Sequence, residues 1–336
     1  MKKCILVFAL LAFMVPALAQ HPQGKWGIEV GAWYAQPRNM DSAYAMDITQ
    51  SGMNSYSTRP AFIGFERRWS PMVKVSYSTA SWKVWLDYFH YQKETATETA
   101  ADFGVFPTYG TMYYAPIADL ATANNRLQCT NFNLNIGRIF HPAKTWKMVV
   151  YSGIKHIDLT YSLDTSYYEP AMIRMESISG GFLPAADPAY MDVVSMQTRT
   201  NGWGLNFGLN NIYTANSWLD FVGGVELSMV STSQDARRVE SGFFPDGSLN
   251  MMVDSASSMN LTTPSYRVFL EGKFHFGSAW YGKLGYQYQM LKDAFKNSAQ
   301  PSTNVPYYYA GAGLGSTPRT TDLAVDGFYV KVGFSW

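Results

Sequence analysis

Apolar and polar residues alternate with a period of two along most of this sequence. In residues 266–276 one set of alternate positions is almost entirely apolar, whereas the other contains Arg267, Glu271, Lys273 and His275. Alternation of this kind is typical of β-strands with one apolar and one polar face. The pattern predicts ten strands, at about 25–36, 71–80, 82–96, 127–140, 145–164, 197–213, 217–232, 262–277, 279–293 and 322–336.

The connections between the predicted strands are alternately short and long. The short ones lie around Ala80–Ser81 and at 141–145, 214–217 and 277–279, and the long ones at about 37–70, 97–126, 165–196, 233–261 and 294–321. This rhythm predicts an all-β chain that forms a single up-and-down antiparallel transmembrane β-barrel, with short periplasmic turns and long extracellular loops. A further hairpin that includes residues 60–69 would raise the strand count from ten to twelve.

The N-terminus has the pattern of a secretory signal peptide. Two lysines precede an apolar core at residues 4–15, and small residues precede a cleavage site between Ala19 and Gln20. We therefore expect a signal peptide at residues 1–19 and a barrel domain at residues 20–336. After the signal peptide, no stretch approaches the roughly 18 consecutive apolar residues that a transmembrane helix needs.

Composition narrows the possible functions. Charged residues make up only 15% of the chain and the formal net charge is +1, so there is no electrostatic indication of nucleic-acid binding. The predicted mature chain contains one cysteine, Cys129, which excludes a disulfide framework and a thiolate metal cluster. The five histidines are scattered without ligand-like spacing, so we expect no metal and no cofactor.

The polar faces of the predicted strands are rich in glycine, glutamine and short residues, which favours an interior position for them. The apolar faces would then contact lipid, as in membrane barrels. This interpretation predicts the lumen-lining set Glu29, Lys74, Lys83, Asp87, His156, Asp158, Asp220, Glu226, Arg267, Glu271, Lys273, His275, Lys283 and Lys331.

Several tryptophans lie beside the chain ends or the short turns. Tryptophan and tyrosine are enriched at membrane–water boundaries because an apolar ring carries a polar edge. We therefore predict an interfacial aromatic girdle at the periplasmic rim. Its members are Trp26, Trp82, Trp146, Trp280 and Trp336.

One predicted strand, 145–164, does not fit this scheme. The apolar set changes parity near Ser152, which would place Lys155 on the lipid-facing side. A lysine in mid-membrane would cost roughly 2–4 kcal/mol. A β-bulge between Ser152 and Lys155 would return the lysine to the interior, and we expect one there.

Five stretches resemble the Legionella major-outer-membrane-protein family of pore-forming barrels. They are "WGIEVGAWYAQP" (26–37), "SWKVWLDYFHY" (81–91), "TNFNLNIGRIFHPAKTWKMVVYSGIKHIDL" (130–159), "GWGLNFGLNNIYTANSWLDFVGGVEL" (202–227) and "DGFYVKVGFSW" (326–336). The resemblance implies a pore-forming barrel in the outer membrane of a Gram-negative bacterium. Family members are rich in loop cysteines, whereas this chain keeps only Cys129, so disulfide-linked assembly is not carried over. The C-terminal aromatic residue also resembles the signal that outer-membrane proteins present to the barrel-assembly machinery.

A porin-like transport function is the leading interpretation. The family resemblance implies a narrow pore for small hydrophilic solutes, and a predicted lumen with six basic and six acidic residues predicts that this pore is only weakly ion-selective. A ten-stranded barrel lies toward the narrow end of the range, so a lumen filled by paired charges is the structural alternative. We expect the partners to be outer-membrane lipid, the barrel-assembly machinery and small solutes, with oligomers possible and no nucleic acid.

Two other function classes stay open at this point. A hydrolase could use His156 with Asp158, which share a strand face, or Asp87 with His90, which do not; no serine stands at a suggestive spacing, so we expect no enzyme. A non-conducting structural or adhesin-type barrel could bind a partner through its long aromatic loops. Those loops contain "FGVFP" (103–107), "GGFLP" (180–184), "GFFPDG" (242–247) and "VPYYYAG" (305–311).

Overall fold

The computed structural model describes most of the predicted barrel domain. The described residues are 24–38, 42–52, 55–107, 118–168, 191–243, 246–296 and 320–336. Among them, no helix has the length and the apolar composition needed to cross a membrane. The predicted signal peptide and its cleavage site lie outside the described residues, as do the aromatic stretches at 180–184 and 305–311.

Twelve β-strands account for nearly all of the described residues. They are β1 (Lys25–Arg38), β2 (Ser42–Gly52), β3 (Ser55–Ile63), β4 (Arg68–Ser78), β5 (Trp82–Pro107), β6 (Ala118–Ala143), β7 (Trp146–Tyr168), β8 (Met191–Asn216), β9 (Leu219–Phe243), β10 (Leu249–His275), β11 (Trp280–Lys296) and β12 (Thr320–Ser335).

Ten of these strands, β1 and β4 to β12, close into an antiparallel ring. Consecutive strands of the ring pair with each other, and β1 pairs with both β4 and β12. The two ends of the domain meet at the short-turn end, where Trp26 and Trp336 exchange two backbone hydrogen bonds of 2.9 and 3.0 Å. The predicted ten-stranded up-and-down barrel is confirmed.

The hairpin formed by β2 and β3 stands outside this ring. It continues the sheet at the long-loop end, where Ala45–Asp47 of β2 pair with Val105–Pro107 of β5. The twelve-strand alternative is therefore wrong, because the hairpin within the first long connection adds no strand to the barrel wall.

Several strands extend well beyond the predicted boundaries. Residues 97–107 belong to β5 and residues 118–126 to β6, although the pattern predicts a loop at 97–126, and the stretch "FGVFP" lies at the end of β5. Outward positions in these extensions include the polar residues Glu98, Thr122, Asn124 and Arg126, so the strands lose the amphipathic pattern on which the prediction depended. The barrel wall therefore extends beyond the band of outward apolar side chains that includes Leu227, Phe328 and Val330, which is called the apolar belt below.

The exposed fractions of the side chains fix which face points outward. On β12, Phe328, Val330 and Val332 are 54%, 46% and 52% exposed, whereas Tyr329 between them is 1% exposed. On β9, Leu227 is exposed and the adjacent Glu226 is buried. The apolar face is the outer face, as an acyl-chain environment requires, and the polar face encloses the lumen.

Candidate functional site

Twelve of the fourteen predicted lumen residues lie on the inward face of the ring. At the level of the apolar belt, each of these residues alternates along its strand with residues that face outward. This inward set is Glu29, Lys74, Lys83, Asp87, Asp220, Glu226, Arg267, Glu271, Lys273, His275, Lys283 and Lys331.

One group of these side chains joins β1, β10, β11 and β12 across the interior. Lys283 Nζ lies 3.2 Å from Glu29 Oε1 and 2.8 Å from Glu271 Oε1. The hydroxyl of Tyr281 donates to Glu29 at 3.0 Å, and the hydroxyl of Tyr329 donates to Glu271 at 2.6 Å. One lysine thus balances two carboxylates, each of which accepts a further hydrogen bond.

A second group centres on Glu226 and joins β7, β9 and β10. Arg267 Nη2 lies 2.6 Å from Glu226 Oε2, and Lys155 Nζ lies 3.3 Å from Glu226 Oε1. The Tyr151 hydroxyl donates to the same carboxylate at 3.2 Å, and Lys155 also donates to Ser265 at 3.1 Å. All of these side chains are removed from solvent, so the carboxylate is held by charge-assisted bonds where they are strongest.

The remaining inward acids each have a basic or histidine partner. Lys74 Nζ lies 3.5 Å from Asp87 Oδ1, and His275 Nε2 lies 2.8 Å from Asp220 Oδ2. Four inward lysines form no salt bridge within the described part of the chain: Lys83, Lys147, Lys273 and Lys331. Three of them lie over aromatic rings instead, at 4.2 Å for Lys273 over Tyr281, 4.5 Å for Lys331 over Tyr329 and 5.9 Å for Lys83 over Trp85.

The predicted lumenal positions of His156 and Asp158 are wrong. Both side chains lie on the outer face of β7. The His156 ring packs against Trp203 with ring centroids 4.4 Å apart, and Asp158 lies 3.3 Å from Arg199. Their strand has already left the apolar belt at this level, so polar side chains there face outward.

The predicted bulge between Ser152 and Lys155 is also wrong. The pairing of β7 with β6 and β8 runs without a register shift through these residues, and Lys155 points inward with 1% of its side chain exposed. Lys147, nearer the short turns, lies on the same inward face. The inward set at belt level therefore has eight basic and five acidic members rather than six of each.

A strip of asparagines on β6 faces the charged groups. Asn131, Asn133 and Asn135 are buried, and Asn131 Oδ1, Asn133 Oδ1 and Asn135 Nδ2 have no hydrogen-bond partner among the described residues. A cavity of about 30 Å³, room for about two water molecules, is lined by Asn131 and Asn133 together with Glu29 and Arg267. These amides are not among the predicted site residues, although their alternation with Phe132, Leu134 and Ile136 marks them as the polar face of a strand.

Comparison with known families assigns this barrel. Residues 19–336 match the family described as "Legionella pneumophila major outer membrane protein precursor". The chain belongs to this family. It is therefore a protein of the bacterial outer membrane, and the predicted family resemblance is confirmed. No curated protein matches the chain.

Solved outer-membrane barrels show similarity at low sequence identity. The outer membrane protease OmpT from Escherichia coli has 8% identity and a TM-score of 0.48, with 93% of this chain and 96% of that chain covered. The Pseudomonas putida toluene transporter TodX has 9% identity and a TM-score of 0.31, covering 95% and 91%. A Pseudomonas aeruginosa FadL homologue has 9% identity and a TM-score of 0.27, also covering 95% and 91%.

The predicted girdle tryptophans of this outer-membrane barrel lie on its outer face. Trp82, Trp146, Trp280 and Trp336 are exposed beside the short turns, and Trp26 packs on Tyr77 with ring centroids 5.0 Å apart. A second set of outward rings, which was not predicted, lies at the other edge of the apolar belt and contains Trp69, Trp203, Tyr34 and Tyr88. Aromatic rings at both edges fit the two interfaces of a bilayer.

Apolar side chains close the lumen on the extracellular side of the charged groups. A cluster of buried residues crosses the interior there, and a smaller one lies near the periplasmic turns. The first, called the apolar layer below, contains Trp33, Ala35, Phe65, Met72, Phe89, Tyr91, Leu127, Cys129, Ile157, Leu159, Val230, Leu291, Ala294, Phe295, Leu323, Val325 and Tyr329. The polar chamber is thus enclosed between two apolar clusters.

Proposed function

We propose that this outer-membrane protein forms a narrow pore for small hydrophilic solutes, with a weak preference for anions. The observation that carries the proposal is the polar chamber at the level of the apolar belt. Charged side chains and asparagine amides face it while hydrocarbon side chains cover the outside. A barrel that had only to sit in the membrane would not require polar groups at this depth, where their burial is costly.

The dimensions support a narrow pathway. Barrels with about eight strands have interiors that side chains just fill, and wide aqueous channels are found near sixteen strands. The chamber of this ten-stranded ring has a cavity of only about 30 Å³. We therefore expect a unit conductance far below that of sixteen-stranded porins.

The weak anion preference follows from the distribution of charge. Eight basic side chains and five acidic side chains face the chamber and its periplasmic end. Every one of the five acids has a basic or histidine partner, whereas Lys83, Lys147, Lys273 and Lys331 form no salt bridge with any residue that the structure describes. Rings of one sign produce strong selectivity, so a mixed lining with a modest positive excess gives a modest bias.

Reversal potentials in planar bilayers test this proposal. Under a salt gradient, the wild-type channel should give a potential of the sign expected for anions, well below the limit for ideal selectivity. The double variant Lys273→Gln/Lys331→Gln should move that potential toward zero, because it removes two inward charges without stranding an acid. Lys144→Gln, which changes an exposed lysine in a short turn, is the matched control.

A folded protein that stays silent under voltage would contradict the pore, and a cation-selective channel would contradict the charge argument.

We also infer a non-enzymatic function, since Asp87 and His90 face opposite sides of β5 and the carboxylate of Asp158 is engaged by Arg199. The outward apolar belt and its aromatic edges are, on this proposal, the surface that contacts outer-membrane lipid and is handled during barrel assembly.

A further inference from the structure

The extracellular half of β11 departs from the regular wall of the barrel. Its pairing with β12 shifts register between Leu291 and Phe295, and within the described residues its pairing with β10 ends at Leu291. Asp293, inside this irregular stretch, has a φ of 52°. That left-handed backbone conformation is unfavourable for most non-glycine residues, so surrounding contacts must hold it in place.

Two of those contacts come through the lumen from strands that are not neighbours of β11. The side-chain amide of Gln234 on β9 donates to the carbonyl of Asp293 at 2.6 Å. The hydroxyl of Thr200 on β8 donates to the carbonyl of Ala294 at 2.6 Å. Because β10 separates β9 from β11 in the ring, neither bond is part of the sheet ladder. The bulge therefore projects into the bore and is fixed to strands two and three positions away.

Apolar contacts extend the same closure. Ala294 and Phe295 are buried in the apolar layer. The Phe295 ring lies 5.8 Å from that of Tyr161 on β7, and the Tyr161 ring lies 6.4 Å from that of Phe65 in the connection between β3 and β4. This row of rings spans the interior at the level of the bulge. An apolar constriction of this kind resists wetting and therefore reduces the passage of ions and hydrated solutes.

We infer that the inward bulge of β11 at Asp293–Phe295 is the constriction that sets the size limit of the pore, held in place by Thr200 and Gln234. The inference rests on the pore function proposed above. Solutes that enter from outside must pass this bulge before they reach the polar chamber. Releasing its two cross-lumen hydrogen bonds and its aromatic contact widens the path.

The test uses two release variants, Thr200→Val/Gln234→Leu and Phe295→Ala. The control is Thr165→Val/Thr232→Val, which removes two buried hydroxyls that bond neighbouring strands and do not touch the bulge. Each protein is folded into lipid vesicles and checked for native β-sheet by circular dichroism. Bilayer conductance and vesicle swelling in sugars of graded size measure the pore. Both release variants should conduct several-fold more than wild type and admit larger sugars, while the control matches wild type.

Cys129 provides a second readout that does not depend on conduction. It belongs to the apolar layer and is the only cysteine of the predicted mature chain. A charged, water-soluble thiol reagent should label it several-fold faster in the release variants than in wild type or the control. Unchanged labelling and unchanged size limit in folded release variants would overturn the inference even if wild type conducts. Faster labelling in variants of a silent wild-type protein would support the constriction and contradict the pore.

Discussion

The two halves of β7 distribute apolar residues in opposite ways. Near the periplasmic turns of β7, Val150 and Ile154 face outward and Lys155 faces inward. Further along the same strand, Ile157 and Leu159 are fully buried on the inward face. The outward positions there are polar: Asp158, Thr160, Ser162 and Asp164. The strand keeps its register, but the side that carries the apolar residues has changed.

The medium outside the barrel explains this reversal. In the periplasmic half the wall is surrounded by acyl chains, so apolar groups cover the outside and polar groups can be grouped inside. In the extracellular half the wall is surrounded by water, so its apolar groups collect inside as in a soluble barrel. One protein thus uses two opposite rules along a single strand, and the change marks the membrane boundary.

The largest expected effect comes from breaking the buried charge group in the membrane half. Glu226→Gln leaves Lys155 and Arg267 without their carboxylate at positions where both side chains are largely buried. Removing one partner of a buried pair costs about 3–5 kcal/mol, because the other charge stays buried and uncompensated. Urea unfolding of the barrel in lipid vesicles should show a loss of this size in the free energy of unfolding.

The matched change in the water-surrounded half is Asp254→Asn. Asp254 lies 2.6 Å from Arg237, but both side chains are exposed on the outer face. Solvent screens such a pair, so its loss should leave the unfolding midpoint almost unchanged. Equal losses for the two variants would contradict the distinction between the halves.

The alternation of residues predicted the ring and its strand count, and the composition of the polar faces predicted the direction of the apolar face, because the membrane half follows one pattern throughout. Twelve of the fourteen lumen residues were placed correctly for the same reason. The prediction was wrong for His156 and Asp158 because it assumed that polar residues face inward beyond the membrane boundary, where the outside of the wall meets water. Lys155 was predicted to face lipid because it shares a strand face with the apolar residues Ile157 and Leu159. Those residues lie in the extracellular half, where apolar side chains face inward.

Other features could not be read from the strand pattern. The bulge at Asp293–Phe295 depends on bonds from Thr200 and Gln234, which are about 60 to 90 residues distant in sequence. A period-two pattern describes one strand and carries no information on what crosses the lumen. The length of the extracellular strand extensions was lost in the same way, because polar outward faces resemble loops.

The second largest effect on stability is expected from the buried carboxylate of Asp192 in the extracellular half. Burial raises the pKa of Asp192 to about 7, and the nearby carboxylate of Glu240 adds to the shift, while Arg238 opposes it. Between about pH 4 and pH 7 the folded protein therefore holds a proton that the unfolded chain has released. Stability should fall as the pH rises through this window and level off above about 7, by about 4 kcal/mol at most.

Asp192→Asn should remove this pH dependence and make the upper parts of β8 and β9 more resistant to opening at pH 8, with little change at pH 4. Amide hydrogen exchange, corrected for the intrinsic effect of pH, measures that opening. Asp235→Asn is the control, because Asp235 is exposed on the outer face of the same strands. A wild-type protein with equal protection at pH 5 and pH 8 would argue against a carboxylate that is protonated in the fold.

The smallest expected effect locates the boundary between the halves on β9. Leu227 and Ser233 both face outward on this strand, six residues apart, and only Leu227 lies within the apolar belt. An arginine facing lipid near the bilayer centre costs about 2–4 kcal/mol, and the cost falls toward zero at the interface. Leu227→Arg should therefore lower the free energy of unfolding in vesicles by this amount, whereas Ser233→Arg should leave it unchanged. Single arginines at Met229 and Ser231 should trace the decline between them, and a flat series would mean that the outward face does not pass from lipid into water along this strand.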